Sequence, residues 1–272
     1  MKDIVFEIIE TQLNKKVDSI SKIVDLGMVN NVYDVISGDE NYIVRLNPDR
    51  AKEYEFYKEK WCMEKASTLN IPSPQVLKIG VLHALPYMVM HKIEGLNGSK
   101  CSANEKISIW KNLGRFAKKF HAIKQIDELK IRTDEFHANW LSKLEYNIGQ
   151  LSPNDSLIKR KVFNKDEHEA SLGYLKKLKK VKFKQGLIHG DLCPRNTIIN
   201  NEVVFLIDWG SSKIDIVPHS EIGIVQMDNE LNQAEFDAFL LGLELNKQDF
   251  AKIEAEIAQI NFLNRLDLYR WA

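Results

Sequence analysis

The chain has 272 residues, enough to bury a sizeable core in one two-lobed unit or two small domains. Its 38 basic and 38 acidic residues cancel to a formal net charge of +0, which excludes a whole-chain electrostatic drive towards nucleic acid or an anionic membrane. No apolar run is long enough to span a bilayer, and the three cysteines, Cys62, Cys101 and Cys193, lie far apart without a CxxC pair, so reduced thiols in a cytoplasmic protein are expected rather than a disulfide framework or a zinc knuckle.

The opening MKDIVFEIIETQLNKK carries acidic residues within its apolar pattern and reads as an amphipathic helix, not a signal peptide. SKIVDLGMVNNVYDVISGDENYIVRLN follows as three short strands, with Gly27, Asn30, Asn31 and the SGDEN run marking turns. From about 50 to 69 apolar residues return at helical spacing, as Tyr54, Tyr57, Trp61, Met63 and Leu69. Pro72 and Pro74 end that helix, and QVLKIGVLHALPYMVMH returns to strands. Beyond KIEGLNG the texture is helical, roughly over 104–121, 134–149, 155–181 and 221–271. The GLNG segment therefore divides a mainly β lobe, residues 1–94, from a mainly α lobe, residues 95–272. There is no internal repeat and no low-complexity tract.

One stretch interrupts the helices. In LIHGDLCPRNTIINNEVVFLIDWG, two apolar runs that read as buried strands flank a loop holding His189, Asp191 and Asn196, and Asp208 ends the second run. Four residues separate Asp191 from Asn196, a loop length that can turn both towards one space. A carboxamide and a carboxylate are hard oxygen ligands suited to Mg²⁺, and a remaining carboxylate can take a proton from an attacking hydroxyl. That division of labour belongs to phosphoryl transfer, where a metal neutralises phosphates and a base orients the nucleophile. Turns also favour Asp and Asn for local reasons, but four such positions, each followed by the expected strand, outweigh that reading.

IHGDLCPRNTII followed by FLIDWG resembles the signature of the aminoglycoside phosphotransferase and choline kinase family, relatives of the protein kinases. The resemblance implies an α+β, protein-kinase-like two-lobed fold: a small N-terminal nucleotide-binding lobe of antiparallel sheet plus helix, and a larger, mainly helical C-terminal lobe for catalysis and the acceptor. It implies Asp191 as catalytic base, Asn196 and Asp208 as Mg²⁺ ligands, and His189 as a structural residue of the loop. In IVRLN, Arg45 occupies the place of a phosphate-touching basic residue that protein kinases supply as Lys; an arginine can fork onto phosphate oxygens. Its implied partner is a helical glutamate, Glu59 by the family's spacing, with Glu53, Glu55 and Glu64 as competitors. DLGMVNNVYDV stands where a glycine-rich loop would cover the phosphates; it has a single glycine, and Asn30 and Asn31 are its polar substitutes. LPYMVMHKIEGLNG resembles the connector that seats adenine on a backbone edge, near Met90, His91 and Ile93. His121, in LGRFAKKFHAI, matches a packed histidine of the family.

The implied reaction uses ATP or GTP as phosphoryl donor and a small-molecule hydroxyl as acceptor, aminoglycoside-like first, with choline, another amino alcohol or a sugar as alternatives. Gly190 replaces the arginine of the protein-kinase loop, and no alanine-proline-glutamate motif follows Asp208; both point away from a phosphorylation-switched protein kinase. Residues 221–256 hold nine acidic side chains against Lys247 and Lys252, a formal −7, which can draw a cationic acceptor or simply line solvated helices. YLKKLKKVKFK places Leu175, Leu178 and Val181 at three-residue intervals among lysines, a buried stripe with a basic outer face rather than a nucleic-acid site. No nucleic acid, membrane or obligatory protein partner is expected, and no histidine spacing supports zinc. A nucleotide-binding scaffold without activity is the alternative of another class; its support is Arg45 and the thin glycine loop.

Overall fold

The structure, a computed structural model, describes residues 1–23, 30–125, 139–152 and 154–271. The first part of the segment read as a phosphate-covering loop, including Gly27, and the first residues of the helix expected at 134–149 lie outside the described residues. The chain forms two compact units. One comprises Met1–Ala103 with Pro194–Ser211; the other comprises Asn104–Gln125, the described residues between 133 and 193, and the chain from Ser212 onward.

The first unit is built on a five-stranded sheet of order β1-β2-β3-β5-β4, formed by β1 (Ser19–Ile23), β2 (Asn31–Ser37), β3 (Glu40–Leu46), β4 (Val76–Leu82) and β5 (Leu85–His91), each neighbouring pair antiparallel. Side chains alternate faces along a strand, so Tyr42, Val44 and Leu46 of β3 bury one face while Arg45 projects from the other. Helix α1 (Lys2–Gln12) covers the apolar face through Val5, Ile8 and Ile9, a stripe at helical spacing that shares a core with Tyr33, Val35, Tyr42, Val44, Tyr87 and Val89. Helix α2 (Glu53–Thr68), entered through a 3-10 turn at Arg50–Lys52 that Asp49 caps, buries Phe56, Glu59, Met63 and Ala66 along one side. A second sheet of this unit, β6 (Leu96–Asn97), β8 (Thr197–Asn200) and β9 (Val203–Leu206), joins the GLNG segment itself to the stretch that carries Asn196 and Asp208.

The second unit is mainly helical: α3 (Ala103–Phe120), α4 (Trp140–Gln150), α5 (Ser156–Lys159), α6 (Lys165–Leu178), α7 (His219–Asp228), α8 (Gln233–Gly242) and α9 (Lys247–Trp271). Its core gathers Leu144, Leu157, Leu175, Leu178, Ile216, Ile260, Leu263 and Leu266. Arg270, near the end of α9, reaches the buried carboxylate of Asp155 at 2.8 Å and also bonds Asn147. A two-stranded sheet of β7 (Lys184–Ile188) and β10 (Lys213–Val217) carries the His189 loop.

The antiparallel sheet and larger helical part agree with the α+β expectation. Two details differ. The single helix read over 155–181 is two, because Lys161 takes a left-handed conformation (φ 59°) and Asn164 starts a fresh helix with a capping box to Glu167. The two strands expected around the polar loop are four, and β7 and β9 pair with β10 and β8 rather than with each other. Leu175 and Leu178 are fully buried while the neighbouring lysines are exposed, as the three-residue interval implied. Among the described residues no helix is long and apolar enough to cross a membrane.

Candidate active site

In the first unit, the β8–β9 hairpin brings two of the candidate ligands to one end. The ladder runs from Asn200 opposite Val203 to Thr197 opposite Leu206, and the Ile207 N–H donates to the Asn196 carbonyl at 3.0 Å just beyond it. Asn196 and Asp208 therefore leave the same open end of one hairpin. Asn196 is buried, whereas the Asp208 side chain is half exposed. Asp208 has φ 61°, a left-handed conformation unusual for a residue with a Cβ, and the buried Trp209 follows it. On the other side of the loop, the Asn97 side-chain amide donates to the Arg195 carbonyl at 2.7 Å.

Arg45 meets this end from β3. Its guanidinium pairs with Glu59, lies 5.6 Å from the centre of the Phe56 ring, and has one nitrogen 3.9 Å from the Asp208 carboxylate. The four glutamates of α2 have different partners: Glu55 bonds Lys52, Glu64 pairs with Lys60, Glu53 accepts from the Tyr57 hydroxyl, and Glu59 takes Arg45. Glu59 shares the buried side of α2 with Phe56 and Met63, at offsets of three and four residues, so its carboxylate faces inward where its rivals face water. Burial works against charge on Arg45, but the Glu59 and Asp208 carboxylates outweigh it and push the guanidinium pKa up, keeping it a cation.

Asn31 begins β2 opposite Leu46, and the next pair in the ladder is Val32 with Arg45. Met90 and His91 end β5. The N–H groups of His91 and Lys92 already donate to the carbonyls of Gln75 and Asn41, so Ile93 is the first of the three connector residues beyond β5 and these pairings. The His91 ring stacks on Tyr42 with 5.6 Å between centres.

In the second unit, Asp191 follows β7 through a turn at Gly190 (φ 78°), where a side chain would be strained. Gly186 of β7 runs so close to the main chain of His121 that a Cβ would stand 2.1 Å from its carbonyl oxygen. The loop is gripped by Glu221, a fully buried carboxylate near the start of α7. It accepts the backbone N–H of His189 at 2.8 Å and that of Gly190 at 3.2 Å, and the His121 ring lies 3.7 Å from it. The Ser212 hydroxyl donates to the His189 carbonyl at 3.2 Å, and Asn229 donates to that of Leu192 at 3.3 Å. The Cys193 sulfur lies 3.5 Å from the Asp191 carbonyl oxygen. His189 itself is fully buried, in keeping with a structural place in the loop.

Glu221 is the residue whose part in the site sequence reasoning missed. It was visible as an acid leading a helix after Pro218, and was counted with the acidic charges of 221–256. Most of those charges have internal tasks: Glu235 closes a capping box, Asp237 pairs with Lys247, Glu244 with Lys118, Asp249 with Lys252, and Glu256 with His219. Among the described residues no three His, Cys, Asp or Glu side chains gather to hold a metal unaided. One carboxylate, one carboxamide and phosphate oxygens are nevertheless a donor set that suits Mg²⁺, which keeps several waters and seldom uses an all-protein cage.

No curated protein matches the sequence. Among solved structures, the chain is similar to the GDP and kanamycin complex of APH(2")-IIia, with TM-score 0.68 and 14% identity over 98% of this chain and 90% of that one. It is similar to the ADP-bound aminoglycoside phosphotransferase APH(2'')-Ib, with TM-score 0.65 and 15% identity over 98% and 90%. It is also similar to the apoenzyme of macrolide 2'-phosphotransferase MphH from Brachybacterium faecium, with TM-score 0.63 and 12% identity over 95% and 88%. At such identities these neighbours speak for the fold. The model of the phosphotransferase enzyme family, APH, matches residues 22–254, most of the chain, and the protein belongs to that family.

Proposed function

We propose that the protein is a small-molecule kinase that transfers the γ-phosphoryl group of ATP or GTP to a hydroxyl of an aminoglycoside-like acceptor. The observation that carries this reading is the meeting of Arg45, Glu59 and Asp208, three charged side chains carried by β3, α2 and the residue that follows β9, at the end of the hairpin that also bears Asn196. A buried, fixed cation beside a half-exposed carboxylate is suited to a polyphosphate and its counter-ion.

In the proposed reaction, Asp191 orients the acceptor hydroxyl and takes its proton as the oxygen bonds to the γ-phosphorus. The bond from that phosphorus to the bridging oxygen breaks, and nucleoside diphosphate leaves. Arg45 contacts the phosphates, fixed by Glu59. Mg²⁺, when bound, would be held by Asn196 and Asp208 and would supply positive charge to the phosphates. Asn31 would lie along the phosphates, and the adenine or guanine would rest on the edge near Met90, His91 and Ile93. Residues 1–94 would serve the nucleotide and 95–272 the catalysis and the acceptor. A cytoplasmic protein working without a protein or nucleic-acid partner fits this reading.

The acceptor is the finer part of the proposal. Kanamycin is bound by one structural neighbour and another is a macrolide phosphotransferase, so both classes belong in the test. Purified protein with ATP or GTP and Mg²⁺ is offered aminoglycosides, macrolides, amino alcohols and sugars, and nucleoside diphosphate release is read with the mass of the acceptor. Acceptor-dependent release with a phosphorylated aminoglycoside supports the proposal. Nucleotide binding without turnover for any acceptor would instead favour a scaffold.

A further inference from the structure

The lysines of α2 do not all behave alike. Lys60 pairs with Glu64 on its own helix and Lys65 lies over the ring of Trp61, while Lys52, in the turn before the helix, pairs with Glu55. Lys58 instead leaves the helix and donates from its ammonium to the backbone carbonyl of Gly210, at 2.5 Å and 152 residues away in sequence. Gly210 stands two residues after Asp208. The next residue of α2, Glu59, holds Arg45. Adjacent side chains of one helical turn thus grip the two parts that border the Asp208 carboxylate.

We infer that Lys58 is a positioning residue that pins the loop after Asp208 to α2, setting the carboxylate against the Arg45–Glu59 pair; the inference rests on the kinase reading above. The physical need is local. Asp208 adopts a left-handed backbone conformation, which residues with a Cβ take uncommonly and Asp more readily than most, so fixing it calls for local support. Burial of Trp209 anchors one side of that residue, and a charge-assisted hydrogen bond to the next carbonyl anchors the loop again, on a helix already fixed by the buried Glu59. A lysine serving only solubility would have no reason to reach main chain. Loss of the ammonium frees the loop to relax, which moves the Asp208 oxygens and weakens binding where the metal matters, leaving the nucleotide's other contacts in place.

The test uses the full chain as wild type, Lys58→Met and Lys58→Arg. Calorimetry measures ADP and GDP, each with Mg²⁺ and with the metal chelated, and amide hydrogen exchange of 207–212 is read in the unliganded protein. The expected result is a loss of about tenfold in affinity for the Mg²⁺ nucleotide in Lys58→Met, with the metal-free nucleotide changed less than about twofold. Exchange at Trp209 and Gly210 quickens in the same variant, and Lys58→Arg restores both readouts. Wild-type affinity and exchange in Lys58→Met overturn the inference, as does an equal loss with and without metal. A wild-type protein that binds neither nucleotide would remove the kinase reading itself, and the inference with it; a wild type that binds, beside an unaltered Lys58→Met, removes the inference alone.

Discussion

Two regions of the molecule hold their candidate groups by opposite means. At the hairpin end of the first unit, side chain holds side chain: Arg45 against Glu59, with Asp208 nearby. In the loop of the second unit, a side chain holds main chain, as Glu221 takes the N–H groups of His189 and Gly190. The difference teaches which changes act on chemistry and which on folding. Where the support is a pair of functional groups, altering it alters function directly. Where the support is a buried acceptor for backbone donors, its loss strands polar groups in the interior and destabilises the fold first.

The largest expected effect tests Asp191, the proposed base that follows His189 and Gly190 in the loop. Asp191→Asn keeps shape and removes the base, and turnover should fall by about a thousandfold with nucleotide affinity and thermal stability near wild type. A similar loss of stability would mean that Asp191 belongs to the scaffold of the loop. Glu221→Ala should act in the other order. Two buried N–H groups lose their acceptor, at about 3 kcal/mol in chemical denaturation, and activity falls with the folded loop. An unchanged denaturation midpoint would contradict the assigned grip.

Glu59→Gln addresses the side-chain pair. It leaves Arg45 with a neutral neighbour, and the apparent KM for nucleotide should rise about tenfold with a smaller fall in kcat. Equal effects of Glu55→Gln or Glu64→Gln would remove the special standing of Glu59.

The smallest effect lies away from the site. Burial opposes charge on Asp155, but the hydrogen bonds from Arg270 and from the Leu157 amide win, and its pKa falls below the ordinary 3.8. The folded pKa is the lower one, so the contribution is complete above the ordinary carboxylate range and is lost as pH falls through the folded value. Asp155→Asn should therefore be less stable than wild type by about 1 kcal/mol at neutral pH, the gap closing as pH falls below the ordinary 3.8 and through the lower folded value. A gap independent of pH would contradict the ion pair.

The same contrast marks what was legible in the sequence. His189, Asp191, Asn196 and Asp208 stand within one short stretch, and chemistry requires their side-chain types, so the loop could be read directly. Glu59 was reached only through the family's spacing, since four glutamates share that helix; the burial it shares with Phe56 and Met63 came from the structure. The grip of Glu221 was not legible, since its donors are main-chain groups 31 and 32 residues away and any residue at those positions would offer the same N–H. Short strands were lost for a related reason: β8 and β10 are four and five residues long, TIIN does not alternate, and the alternation of KIDIV is too brief to stand out. The break between α5 and α6 turned on Asn164, whose capping role outweighed the helical pattern around it.

The most direct measurement follows the phosphoryl group itself. With γ-labelled nucleotide, Mg²⁺ and an acceptor taken by the wild type, label should pass to the acceptor in the wild-type protein and fail to pass in Asp208→Asn, whose circular dichroism and melting temperature stay near wild type. Transfer by Asp208→Asn at the wild-type rate would contradict the assignment of this hairpin end to phosphoryl transfer.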